Sequence, residues 1–270
     1  MKGILGKLEF ALEREIVIRA PRRLVFRYFT DAERFAAWWG AGSSIEGRVG
    51  GALKIVYPGG ATASGEVLEL VPHERVVFSY GYDGPGKPIA PGGSRVIVTL
   101  TDDPEGTRLA FRHEVADAAV RDLHVAGWRY HLSVFANVAA NEAHGASAAT
   151  LADRWLAAWN EGDATARRAA FAELVAPDVL FLDAYSQTRG LDDLDAHVAN
   201  ARVHMPGMTL ARTGDARHCQ GTVLAEWAAN VAGGNPMARG TTVFDLASDG
   251  RIARVVGFWS PAAAERSSRT

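Results

Sequence analysis

Asp183 is the side chain that the sequence places best for chemistry. It ends the run Val-Leu-Phe-Leu-Asp, in which Val179, Phe181 and Asp183 alternate onto one strand face. A carboxylate turned into an apolar pocket has its pKa raised and can act as a general base. The competing reading is a turn cap ahead of Ala184–Gly190, because Asp bonds its own backbone at turns. In the first half, Leu109, Phe111, His113 and Val115 of TRLAFRHEV share a strand face that turns the imidazole inward. There His113 is either a cavity hydrogen-bonder or base near neutral pH, or a neutral core histidine whose partners are met internally.

His124, Trp128, His131 and Phe135 follow at steps of four, three and four and share a helical face. His124 and His131 are about 10 Å apart in helix rise, too far to bind one ion, and no third ligand is evident, so no metal is expected. Trp38-Trp39, ahead of Gly40, is a candidate cavity wall or lid; a helix cannot turn both rings inward, so at least one is expected exposed or lid-like. Asp192, Asp193 and Asp195 follow Gly190 at a helix start, where capping and the macrodipole explain acids. His197, on that same helix, and His204, seven residues on, are each candidates to face a cavity, as are Glu226 and Asn230, opposite Trp227, although a solvated sheet face is the commoner case. The loop Asp83–Gly93 lacks the spacing of a phosphate cradle. No Ser-His-Asp, Cys-His, HExxH or P-loop pattern is present, and no cofactor is expected.

The elements that must position these residues form two different series. In the first half a strand (Leu12–Ile18) leads to short helices after Pro21 and Asp31. Strands then follow at Ser44–Val49, Ala52–Tyr57, Ser64–Val71, Arg75–Tyr82, Arg95–Thr101 and Thr107–Val115, separated by Gly- and Pro-rich turns. A long helix over Val120–Asn141 closes the series, with Leu123, Trp128, Leu132, Phe135 and Val138 as its apolar stripe. This is a helix gripped on an antiparallel sheet. The pieces IRAPRRLVFRYFTDAERFAAWWG, GGALKI, GEVLELVPHERVVFSY, TRLAFRHEV and HVAGWRYHLSVF resemble the START-like (SRPBCC) superfamily, and within it the homologues of the ATPase activator of the ninety-kilodalton heat-shock chaperone. The resemblance implies an apolar cavity between sheet and long helix, and histidines at His113 and His124.

In the second half, Ser147 is placed to cap a helix through Leu151, Trp155 and Trp159, and Asp163 to cap another running to Val175. The strand ending at Asp183, a third helix over Leu191–Met205, and strands at Met208–Arg212, Thr222–Val231, Ala238–Ala247 and Ile252–Trp259 follow. Hairpin turns are expected at Gly233-Gly234-Asn235-Pro236 and Ser248-Asp249-Gly250. RWLAAWNEGD, LVAPDVLFLDAYSQTRGLDDL and VFDLASDGRIARVVGFW resemble the nuclear-transport-factor-2-like fold, in the SnoaL-like polyketide cyclase and ketosteroid isomerase group. That resemblance puts a catalytic aspartate at Asp183. It also puts Trp155 where the isomerases carry an oxyanion tyrosine, and Thr242 where they carry a protonated aspartic acid. Without those donors an enolate loses about a few kcal/mol of stabilisation per donor, so the known steroid isomerisation does not carry over.

The whole chain therefore reads as α+β, with a helix-grip START-like domain over 1–143 and a SnoaL-like cone with a curved antiparallel sheet over 147–262. The side chains expected to meet a ligand are Trp38, Trp39, His113, Trp128, His131, Trp155, Trp159, His197 and Trp227, with Asp183 as the catalytic candidate. The expected function is binding of a small, largely apolar, polyketide-, lipid- or steroid-like molecule. The rivals are a cyclase or isomerase using Asp183 as base, and a chaperone ATPase regulator. At 270 residues and net charge −2, with no basic stripe, the chain suggests no nucleic-acid or membrane partner. The lone Cys219 and the early charges at Lys7, Glu9 and Glu13 point to a reducing, cytoplasmic setting. A homodimer through the second domain is the expected assembly.

Overall fold

The computed structural model describes residues 7–231 and 236–261. The Gly233-Gly234-Asn235 part of one expected hairpin, residues 1–6 of the N-terminal reading and the boundary at 262 lie outside them. The chain forms two compact units, Met1–Ala143 and His144–Thr270.

In the first unit, β1 (Phe10–Ile18) precedes α1 (Arg22–Arg27) and α2 (Ala32–Trp39). The strands β2 (Ser44–Ile45), β3 (Ala52–Val56), β4 (Thr62–Val71), β5 (Arg75–Tyr82), β6 (Ser94–Asp103) and β7 (Gly106–Val115) then lead to α3 (Ala118–His144). The antiparallel sheet runs β1-β7-β6-β5-β4-β3-β2, so the first strand pairs with the last, Phe10 opposite Val115. The strand expected over Ser44–Val49 stops at Ile45, because the chain turns through Glu46–Gly51, with Gly50 at φ 76°.

Burial on β7 alternates as the sequence pattern requires, with Thr107, Leu109, Phe111 and His113 covered and Arg108, Ala110 and Arg112 turned out. Arg95 and Arg112 meet Glu114 on that outer face. Asp31 caps α2 by accepting from the Arg34 amide at 3.1 Å, and Asp117 accepts from the amides of Ala119 and Val120 to start α3. The face of α3 turned to the sheet carries His124, Trp128, Leu132, Phe135 and Ala139. Leu123, expected in that stripe, is 66% exposed: five residues before Trp128, it falls well round the helix. Arg34 bonds both Asp31 and Glu142, and the Tyr28 hydroxyl lies 2.9 Å from Glu142, so the short helices are tied to the end of α3. The Asp83–Gly93 loop is pinned by buried Ile89, whose carbonyl accepts from the Tyr82 amide, and by Asp83, which accepts from Ser64.

In the second unit, α4 (Ala148–Asn160) and α5 (Ala164–Leu174) precede β8 (Val175–Leu182), β9 (Gln187–Arg189) and α6 (Leu191–His204). The strands β10 (Met208–Arg212), β11 (Arg217–Cys219), β12 (Thr222–Val231), β13 (Ala238–Leu246) and β14 (Ile252–Pro261) complete it. The sheet runs β10-β12-β13-β14-β8-β9, with β11 beside β12; β14 and β8 pair in parallel and the other pairs are antiparallel. The α4 face bearing Leu151, Ala152, Trp155, Leu156 and Trp159 packs into the core.

Asp163 caps α5 through the Ala166 amide at 2.8 Å. Ser147 does not cap α4: its hydroxyl donates back to the His144 carbonyl. The acids of α6 do not cap either. Asp195 pairs with buried Arg167 at 2.7 Å and Asp192 with Arg168, binding α6 to α5, while Gly190 holds the N-cap position without a side chain. The C-terminal end of α4 is held twice. Arg202 donates to the carbonyls of Trp159 and Asn160, and the Asn160 amide exchanges two 2.8 Å hydrogen bonds with the backbone of Leu210.

Candidate functional site

The site with most chemical content is a cavity of about 570 Å³ in the second unit. Two helices and three strands, with the segments that follow them, supply it. From α6 come His197, Asn200, Ala201 and His204, which recur at helical spacing on one face, followed by Met205 just past the helix. Trp159 comes from the locked end of α4, and Trp259 from β14. Asp183 closes the strand side, with Met208, Met237 and exposed Tyr185 completing the wall. Such a volume and apolar lining suit a small organic molecule.

Asp183 is where the two readings of its sequence meet. Its Oδ1 accepts from the amides of Tyr185 and Ser186 at 2.8 and 2.7 Å, which makes it a turn cap. Its Oδ2 lies 3.5 Å from His197 Nε2, which makes it half of a carboxylate–imidazole pair in the cavity wall. The side chain is 1% exposed. Burial pushes this carboxyl up, but the contact with His197 and the two amides outweigh it, and the group titrates below the usual carboxylate range. This corrects the sequence expectation of a raised pKa: the apolar strand face was readable, but the turn amides and the helix opposite were not.

Trp159 lines the same wall, its ring 5.8 Å from that of His197 and 6.0 Å from that of Phe181. Its indole N–H is buried without an acceptor. An orphaned donor of this kind costs about 1–3 kcal/mol unless something accepts from it. Trp155 and Trp227 do not line this cavity. They surround a neighbouring void of about 20 Å³, together with Thr242 and Gly257; Trp159 and Trp259 border both spaces. Trp227 donates its N–H to Thr242 Oγ1 at 2.9 Å. Its ring fits because position 240 is glycine, where a Cβ would overlap the indole and approach the Phe258 carbonyl to 2.6 Å. Glu226 lies on the outer face, 3.5 Å from Arg217.

In the first unit, the residues singled out by sequence meet in an aromatic cluster between α2, the sheet and α3. Trp38 and Trp39 are both 3% exposed, with ring centroids 4.3 Å apart, so neither is a lid. Both rings are covered because α2 ends inside the cluster: Phe29 and Phe135 meet Trp38, while Tyr57, Trp128 and His131 meet Trp39. Gly40 turns the chain out at φ 133°, where a Cβ would come within 2.8 Å of the Val56 carbonyl oxygen.

His113 is fully engaged. Trp128 Nε1 donates to its Nδ1 at 3.0 Å, so Nε2 carries the proton and gives it to Ser94 Oγ at 2.8 Å, and Ser94 donates onward to the Tyr80 carbonyl. Burial, with the nearby His124, pushes its pKa down to about 3. His124 donates from Nδ1 to the Val120 carbonyl and accepts from Tyr82 at 3.1 Å. His131, lowered by burial, keeps an unpartnered Nδ1, as Trp38 and Trp39 keep unpartnered indole N–H groups. Among the described residues no three His, Cys, Asp or Glu side chains are grouped to hold a metal ion, and no helix is long and apolar enough to cross a membrane.

Residues 19–140 match the family described as activator of Hsp90 ATPase homolog 1-like protein, and residues 152–255 match the SnoaL-like domain. No curated protein matches the chain. Among solved structures, a SnoaL-like family protein from Agrobacterium tumefaciens is 32% identical over 41% of this chain and 95% of its own, with a TM-score of 0.40. An AHSA1-like protein from Rhizobium etli is 32% identical over 48% of this chain and 81% of its own, with a TM-score of 0.40. The Aha1 dimer from Colwellia psychrerythraea is 21% identical over 46% and 90%, with a TM-score of 0.39. The chain thus joins a member of the activator of Hsp90 ATPase homolog 1-like family, residues 19–140, to a member of the SnoaL-like family, residues 152–255.

Proposed function

We propose that this protein binds a small, largely apolar molecule in the cavity of its SnoaL-like domain. The observation that carries this reading is the 570 Å³ space itself, walled by Met205, Met208, Trp159 and Trp259 with a few polar groups converging on it. Native mass spectrometry of the full chain as purified, beside a denatured control, tests it. The native form should carry an extra small-molecule mass that the denatured form lacks. Ala201→Phe, which fills the cavity from α6, should lose that mass while keeping the fold. An apo mass, with no uptake from a panel of aromatic and steroid-like compounds, would sink the reading.

A second reading, an enzyme that moves protons, is favoured by one observation, the contact between Asp183 and His197. Asp183 is held ionised by two amides and faces an imidazole, so the pair, with His197 as the proton carrier and Asp183 orienting it, is the unit that could shuttle a proton to a bound carbonyl compound. Under this reading Asp183→Asn loses turnover and keeps ligand affinity; under simple binding it changes neither.

A further inference from the structure

We propose that Trp159 and Trp259 form a partition across the interior of the SnoaL-like domain, and that Trp259 is the residue that stops a ligand at that depth. The proposal rests on the cavity-binding reading and deepens it to what limits the length of the ligand.

The partition separates two spaces that share a wall. The larger, about 570 Å³, lies along α6, and the inner void, about 20 Å³, lies against Trp155, Trp227 and Thr242. Among the described residues, only Trp159 and Trp259 line both. The inner void has room for about one water molecule. A ligand in the cavity therefore ends at the two indoles.

Each indole is held in place. Trp159 sits at the end of α4, where Arg202 holds the last carbonyls and Asn160 is bonded to the backbone of Leu210. Trp259 is held by a row across the sheet, in which Trp227, Gly240 and Trp259 stand opposite one another on β12, β13 and β14. Residues two strands apart in a sheet are about 10 Å from each other. The rings of Trp227 and Trp259 nevertheless meet edge-on, with centroids 4.6 Å apart. They can do so because the position between them has no side chain, and a Cβ at Gly240 would overlap the Trp227 ring. Trp227 is fixed in turn by its N–H, which Thr242 accepts at 2.9 Å. On the other side, the exposed Tyr185 ring stands 6.1 Å from Trp259. Backed by one ring and faced by another, Trp259 bars the way from the cavity to Thr242.

A homologous series of 4-n-alkylphenols, titrated into the full chain at neutral pH, measures the depth. In the wild type, affinity should rise about fourfold per added methylene and then level off once the alkyl end meets the indoles. Trp259→Ala joins the two spaces and should move the levelling-off to chains longer by about three methylenes. In that variant, nuclear Overhauser contacts should link the terminal methyl of the long phenols to the Thr242 methyl; in the wild type they should stop at Trp159 and Trp259. Should Trp259→Ala not fold, the wild-type contacts decide alone, because a terminal methyl found against Thr242 has passed the partition and overturns it. Levelling-off at the same chain length in both proteins, or none in the wild type, overturns the role of Trp259 while the cavity reading stands. If no alkylphenol binds, the cavity reading falls and this inference with it.

Discussion

Trp128 donates its indole N–H to His113 Nδ1 over 3.0 Å, from the long helix to the sheet. Because an indole can only donate, this contact fixes the His113 tautomer and holds the ring neutral. Protonation would set two donors against each other in a buried site.

The consequence for stability has a definite sign. The folded pKa of about 3 lies below the ordinary value of 6.5, so the contribution of His113 is full above pH 6.5 and falls as pH drops from there toward 3. Over that window the loss is about 1.4 kcal/mol per pH unit. Urea unfolding at a series of pH values should show this slope in the wild type and a shallower one in His113→Gln. His131 and His218, lowered in the same direction, leave a residual slope in the variant. An unchanged slope would show that His113 is not held neutral.

The indoles of the first domain make a graded comparison. Trp128→Phe removes a donor in use and strands His113 Nδ1, whereas Trp39→Phe removes a donor that has no acceptor. Trp128→Phe should cost about 1–2 kcal/mol more than Trp39→Phe in chemical denaturation. Equal losses would mean that ring packing alone sets the cost.

Asp183 separates turn from pair. Alanine there releases the Tyr185 and Ser186 amides as well as His197, and should cost about 1–2 kcal/mol of stability. Asparagine keeps an acceptor for the amides and should cost less than about 1 kcal/mol. Thermal unfolding of both variants checks the order, and a reversed order would remove the turn from the account.

Gly240→Ala should destabilise the second domain by about 1–3 kcal/mol, since its Cβ would overlap Trp227 and crowd β14. The Trp227–Trp259 edge-on contact, with centroids 4.6 Å apart, should loosen with it, visible as a change in tryptophan fluorescence. Wild-type stability in this variant would contradict the packing described.

Much of this was legible because it is local. Alternation on β7 placed His113 inward, and Asp31 and Asp163 announced their helices. What escaped depends on distant partners. The parallel pairing of β8 with β14 joins segments with no shared turn to announce them, and β9 and β11 are three residues each, too short to show a period. Burial of both Trp38 and Trp39 follows from a helix end enclosed on all sides, which helical periodicity alone does not foresee. The cavity face of α6 was legible in part, in His197 and His204, while Asn200 and Ala201 share that face at helical spacing but carry no signal of their own. The pairing of Asp183 with His197 was not, because it is made between a strand end and a helix face.

The tie between Arg34 and Glu142 spans 108 positions, and the pairing of β1 with β7 spans nearly as many. Closing loops of that length costs entropy before any contact repays it, so the first domain cannot finish folding from its own beginning. As a growing chain leaves the ribosome, the opening strand must wait unpaired until β7 has followed it out, and Arg34 must wait longer still, for the end of the long helix. The first domain is therefore a late folder on its own scale, and the second begins to emerge at the moment the first can close.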